Sequence, residues 1–260
     1  MSRLIDKLKL VTRSAPQPLG FQAVKSAPSR PPMLLIISPL QLRSVTRLTN
    51  SVTGADAILL HPGKTAPGTN TLSQLSQSLP DIPWGGWLED GGKEEASQLI
   101  AAGSDFLVFP ASSTLGITSQ NDQVGKVLVV EPSLSDGLLR AVNDLPVDAV
   151  LAAQSGQGTA LTWHHLMLFQ RLANIVNKPL LAPVPAGITA NDIQPLWEVG
   201  VNGIVVTGAT EQLRSQLPEL RRAIDDLKQL PRKRGKVEAV LPRISGEVGA
   251  VEEGEEEEEV

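Results

Sequence analysis

Eight short apolar runs, separated by stretches with helical spacing, constrain this chain most. They cover residues 33–38, 56–61, 84–89, 105–109, 126–131, 148–153, 179–184 and 203–207. A strand with one wet face alternates apolar and polar side chains. These runs are continuous in apolar character, so both of their faces need cover, as in parallel sheets wrapped by helices. The intervening residues 40–51, 93–102, 135–144, 163–177 and 191–199 have the spacing to supply those helices. Residues 112–125 are short and polar, and predict a loop or a single helical turn.

A quasi-repeat orders the runs. Gly54-Ala55-Asp56, Gly103-Ser104-Asp105, Val147-Asp148 and Val201-Asn202-Gly203 lead into the even-numbered ones. Glycine there ends the preceding helix, and Asp or Asn suits the tight turn. The odd runs follow proline or lysine at Pro32, Pro83, Lys126 and Pro179. The period is roughly 45–55 residues per pair of βα units, and four pairs make the number of strands that closes a barrel. An open doubly wound sheet is the rival arrangement of the same elements. The reading is an α/β fold with a single (β/α)8 barrel over residues 32–230. Residues 1–31 precede it as a helix and a Pro-rich connector. Leu4, Ile5, Leu8 and Val11 give that helix one apolar face, suited to capping the barrel floor. The last barrel helix is expected over 215–230. Residues 231–260 turn basic and then acidic, a tail expected to be disordered and solvated because like charges in a block resist burial.

Composition excludes several classes. The chain has no cysteine, so disulfides, thiolate metal sites and cysteine nucleophiles are out, and a reducing cytoplasm is the expected compartment. No tyrosine is present to act as acid or base. The net charge of -5 comes from the seven glutamates at 252, 253 and 255–259, and the rest is slightly basic. No nucleic-acid face is indicated. No apolar run approaches the ~20 residues of a membrane span, and no secretory h-region is apparent.

Ligands of such barrels meet the C-terminal ends of the strands. The seventh and eighth runs end there in Gly-containing turns, at Gly187-Ile188-Thr189 and Gly208-Ala209-Thr210. Adjacent parallel strands ending so aim backbone N–H groups at one anion, and these six residues are the expected phosphate site. Thr189 is the expected N-cap of the next helix. The alternative is that the glycines only shape turns. Asp192 and Glu211 would repel an anion if they faced inward, and otherwise serve the first turns of their helices. Glu89, Glu131 and His61 each end a strand and are the catalytic candidates. The two carboxylates, one strand apart, suit one ligand or one Mg2+ beside a diphosphate, or else pair with Lys64, Lys93 or Lys126. His164 and His165 open a helix behind Thr162. No HxH or HExxH spacing supports a metal site. Trp84 and Trp87 read as core and barrel floor, with one of them lining the pocket as the alternative. The helix over 163–177 is apolar on more than one stripe (Leu166, Met167, Phe169, Leu172, Ile175, Val176), which predicts a homodimer.

Gly187-Ile188-Thr189-Ala190-Asn191, followed by Gly200-Val201-Asn202-Gly203-Ile204-Val205-Val206, resembles the closing quarter of the phosphate-binding TIM-barrel superfamily. Thiamine-phosphate synthase and other ribulose-phosphate-binding, aldolase-type barrels are its similar members. The resemblance is confined to residues 178–210. It implies a phosphorylated small-molecule ligand and lyase, isomerase or synthase chemistry. Such families show two glycines ahead of the Ile-Thr pair, where this chain has Ala186-Gly187. The strand-end lysine and aspartate pair that synthases and isomerases of this group use are missing. Three readings follow: an enzyme on a phosphorylated substrate, a barrel without catalysis that binds or scaffolds, and an FMN-dependent oxidoreductase, since flavin barrels seat the FMN phosphate at the same two turns.

Overall fold

Continuous apolar strands must bury both faces, and the chain does this by closing its sheet. The computed structural model describes residues 2–12, 32–39, 52–61, 69–88, 92–114, 123–153, 160–185 and 187–227. Its parallel strands are β1 (Leu34–Pro39), β2 (Ala57–Leu60), β3 (Trp84–Trp87), β4 (Phe106–Pro110), β5 (Gly125–Val130), β6 (Ala149–Ala152), β7 (Leu180–Val184) and β8 (Gly203–Gly208). They form one closed barrel in sequence order. β8 pairs back onto β1 from Gly203 opposite Leu34 to Gly208 opposite Pro39, so the sheet has no edge and the open arrangement is ruled out. The helices are α1 (Arg3–Thr12), α2 (Thr69–Ser78), α3 (Lys93–Ala101), α4 (Asp136–Ala141, with a 3-10 turn over Val142–Asp144), α5 (Trp163–Ile175), α6 (Ala190–Glu198) and α7 (Thr210–Asp226).

Side chains alternate between two cores, as the strand period of two requires. Leu34, Ile36, Leu59, Phe106, Val127 and Leu151 fill the barrel interior. Leu35, Ile37, Ile58, Leu107, Val150 and Val206 face the helix layer.

The quasi-repeat has a structural cause at the barrel base. Asp56, Asp105, Asp148 and Asn202 each donate their backbone N–H to the carbonyl of the preceding odd strand, at Leu35, Trp84, Lys126 and Leu180, all at 2.8 Å. The side chains of Asp56, Asp148 and Asn202 accept the N–H of those same strand residues, Leu35, Lys126 and Leu180, at 2.9 Å. Each pair is a two-bond clamp that satisfies a donor at the start of a strand. Gly54, Gly103 and Gly200 precede Asp56, Asp105 and Asn202 with φ of 95°, 93° and 106°, a region L side chains avoid.

The Asp105 side chain is diverted. The Asp105 carboxylate accepts Ser2 Oγ at 2.7 Å and the N–H groups of Arg3 and Leu4 at 2.8 and 2.9 Å, so it caps α1. Leu4, Ile5 and Leu8 then plug the barrel floor as part of its interior core. Each contributes about 2 kcal/mol by burial. Gly125 makes room: a Cβ there would lie 2.7 Å from Ile5 Cγ1 and from Ser2 Oγ. The N-terminal helix is thus the floor cap its apolar face predicts.

The strands fall within one or two residues of the sequence reading. Two helices differ. α2 lies in a polar stretch, TNTLSQLSQS, where Leu72 and Leu75 are the only apolar residues; Leu72 is buried, and Ser76 holds the helix by accepting the Trp84 indole N–H at 2.8 Å. α7 starts at Thr210 rather than 215, because Leu213, Leu217, Leu220 and Ile224 form one buried stripe that runs past Pro218. Pro218 is tolerated on the exposed side. The helix expected over 40–51, most of the connector and the acidic tail lie outside the described residues.

Candidate functional site

Continuing the inward register upward places the mouth residues. Ser38 follows inward Ile36, and Thr207 follows inward Val205, directly opposite it across β1 and β8. His61 comes two residues after inward Leu59. Trp87 packs against the interior core and stacks on His61, with ring centroids 4.9 Å apart and planes 22° apart. Trp87 therefore sits at the mouth, not at the floor as its sequence setting suggests. Trp84 faces the helix layer. Glu131 follows β5 in the inward register and is exposed, its Oε2 accepting Ser133 Oγ at 3.4 Å. Glu89 lies outside the described residues, so the structure does not place the two carboxylates together.

The two turns expected to hold a phosphate are built differently. At the β7 turn, Ile188 N–H donates to the Pro185 carbonyl at 3.1 Å. Thr189 donates both its N–H, at 2.9 Å, and its Oγ–H, at 2.8 Å, to the Asp192 carboxylate. The start of α6 thus carries its own anion, and the Thr189 donors are spent on it. Gly187 stands exposed beside this turn. At the β8 turn, Ala209 is the N-cap of α7, with φ -67° and ψ 145°, and among the described residues no side-chain hydrogen bond caps the helix. The first N–H groups of a helix have no intrahelical partner, and the aligned dipoles place about half a positive charge there. Gly208 and Thr210 flank that N-cap; Glu211 is exposed.

Ser38 adds a second observation beside this turn. It is 0% exposed, and its Oγ makes no hydrogen bond among the described residues. Burying a hydroxyl unsatisfied costs roughly 1–3 kcal/mol. The next residue of β1, Pro39, pairs across the seam with Gly208, immediately ahead of the Ala209 cap. In the sequence Ser38 is only the last residue of the first apolar run, and nothing there tells that its hydroxyl has no partner among the described residues. Ser113 Oγ, just beyond β4, is likewise buried with no hydrogen-bond partner among the described residues.

Of the remaining histidines, His165 serves the start of α5. His165 Nδ1 lies 2.7 Å from Thr162 Oγ1 and accepts the Thr162 N–H at 3.1 Å, closing a capping box on α5. His164 stands exposed beside it. Among the described residues no group of three or more His, Asp or Glu side chains is placed to hold a metal ion. None of the described helices is long and apolar enough to cross a membrane.

A closed eight-stranded parallel barrel with its helices outside defines the (β/α)8 class. No family model matches this sequence, and no curated protein matches it either. Solved structures do. The chain is similar to thiamine phosphate pyrophosphorylase from Pyrococcus furiosus, with a TM-score of 0.56 and 18% identity over 75% of this chain and 96% of that one. It is similar to 3-keto-L-gulonate-6-phosphate decarboxylase from Vibrio cholerae, with a TM-score of 0.58 and 17% identity over 75% and 98%. Orotidine 5'-phosphate decarboxylase from Pyrococcus horikoshii gives a TM-score of 0.55 and 15% identity over 72% and 99%. At these identities the likeness is one of fold. It agrees with the barrel group that residues 178–210 resemble.

Proposed function

We propose that this barrel binds the phosphate of a small phosphorylated molecule at the junction of β8, α7 and β1. The observation that carries the reading is the uncapped N-terminus of α7 beside the buried, unsatisfied hydroxyl of Ser38. Backbone N–H groups around Gly208, Ala209 and Thr210 supply donors, and an anion there gains about 0.3–1 kcal/mol from the helix dipole before any hydrogen bond. Gly187, Ile188 and Thr189 join the site only if Asp192 releases its cap. The three structural neighbours are each named for a phosphorylated compound, which supports the ligand class by fold analogy.

Lyase, isomerase or synthase chemistry fits this barrel type. Glu131 and His61 are the acid–base candidates at the mouth, with Glu89 a third from sequence. His61 is positioned by its stack on Trp87. The test is a thermal-shift screen against thiamine phosphates, sugar phosphates, nucleotides and FMN, after recording the visible spectrum. A ligand at a hundred times its Kd stabilises by ~2.7 kcal/mol, a shift of about 5–10 °C for a barrel of this size. A hit lost in Gly208→Asp supports the anion site. A flat screen across all the phosphates overturns it and favours a binding or scaffold barrel without catalysis. A yellow protein points to FMN.

A further inference from the structure

We infer that the outer face of α5 is a two-fold interface between copies of this chain. Trp163, Met167, Gln170 and Asn174 are all exposed, and their i, i+4, i+7, i+11 spacing sets them in one straight stripe. The outer stripe of a barrel helix is ordinarily charged. This one carries no ionisable group. It has two large apolar side chains at its N-terminal end, Trp163 at 82% and Met167 at 66% exposure. α4 lies alongside α5 and adds Leu138, 57% exposed. Inward-facing Phe169 and Leu172 already seat α5 on the barrel, so the outer stripe is surplus to the fold.

The stripe is complementary to itself. Its C-terminal half borders a shallow groove of about 380 Å3, lined by Met167, Gln170, Arg171, Asn174 and Ile175. Trp163 and Asn174 stand about 16 Å apart along the helix. A two-fold axis through the middle of the stripe lays Trp163 of each copy over the groove of the other. A protruding ring and a receptive groove on one helix are what an isologous contact needs, and no different partner has to be invoked. Charge agrees. α5 contains no Asp or Glu. Arg171 flanks the groove but is held by Asp136 at 2.6 Å within its own copy. Antiparallel docking then brings no like charges together, and sets the positive end of each helix dipole against the negative end of the other.

The contact is small, so it gives a reversible dimer with a Kd of about 10 µM. The test is sedimentation velocity on the full chain from about 1 to 200 µM, which brackets that value. Wild type shifts from monomer to dimer across the range. Met167→Glu, which sets like charges beside the axis, and Trp163→Ala, which removes the protruding ring, each weaken the dimer by about tenfold or more. Both sites are exposed, so circular dichroism and Tm stay at wild-type values and separate loss of contact from loss of fold. A wild type that is monomeric at the top of the range overturns the inference. So does a dimer that both variants leave intact.

Discussion

Replacing Ala209 by aspartate should strengthen the free protein and destroy its anion site in one step. Ala209 already has the extended conformation of an N-cap, with φ -67° and ψ 145°, but offers no acceptor to the α7 N–H groups. A capping carboxylate in place of alanine stabilises by about 0.5–2 kcal/mol, and the lower half of that range is expected because Glu211 lies close by. For a barrel of this size that raises Tm by about 2–4 °C. The same carboxylate stands where the phosphate would. At an effective dielectric of about 20, two unit charges ~5.5 Å apart repel by about 3 kcal/mol, or roughly a hundredfold in affinity. Ala209→Asn supplies the cap without the charge, so it should keep the stability and lose less binding. Thermal melts with and without the ligand found by screening read both quantities on one sample. If Ala209→Asp stabilises the protein and the ligand-induced shift survives undiminished, the α7 terminus is not the anion site. If it fails to stabilise, the terminus was not open.

Ser38→Ala should leave the free protein as stable or up to about 1 kcal/mol more stable, because the lost hydroxyl was unsatisfied, while phosphate affinity falls about tenfold. A loss above about 2 kcal/mol in urea denaturation would mean the hydroxyl is bonded after all, and the reasoning fails. Glu131→Gln should lower turnover of the screened ligand by about a hundredfold or more with binding unchanged; full turnover in initial-rate assays removes Glu131 from the mechanism. Lys7 gives a pH dependence. Burial lowers its pKa below the usual 10.5, outweighing the attraction of Asp56, so folding disfavours its charged form. That penalty is fully present below the lowered native value and disappears as pH rises toward 10.5. Wild type should therefore gain stability relative to Lys7→Met as pH rises from 7 to about 10, measured by urea titration at each pH; a difference independent of pH refutes the assignment.

Much of the fold was legible because its signals are local. Runs such as LLIIS and KVLVV are too continuous for a half-wet strand, and the Gly-Ala-Asp and Gly-Ser-Asp punctuation marks where helices end. The clamps of Asp56, Asp148 and Asn202 give that punctuation its reason. α2 was hidden because only Leu72 and Leu75 of its ten residues are apolar, too short a stripe to stand out from the polar stretch around it. Asp192 was legible as a threat to the phosphate site, but not its destination, since a carboxylate at the third helical position serves a capping box or a cavity equally well in sequence.

By itself the sequence determined eight strands, most of the helices between them, a floor helix and the end of the barrel where ligands belong, since those follow from periodicity and turn chemistry. Only tertiary structure decided which helix terminus stays open, that Trp87 rises to the mouth to stack on His61, and that Ser38 is buried with no partner among the described residues. The physical reason is closure. A period of two shows that a strand has two faces but not which is inside. Ser38 meets Thr207 only because the last strand pairs with the first.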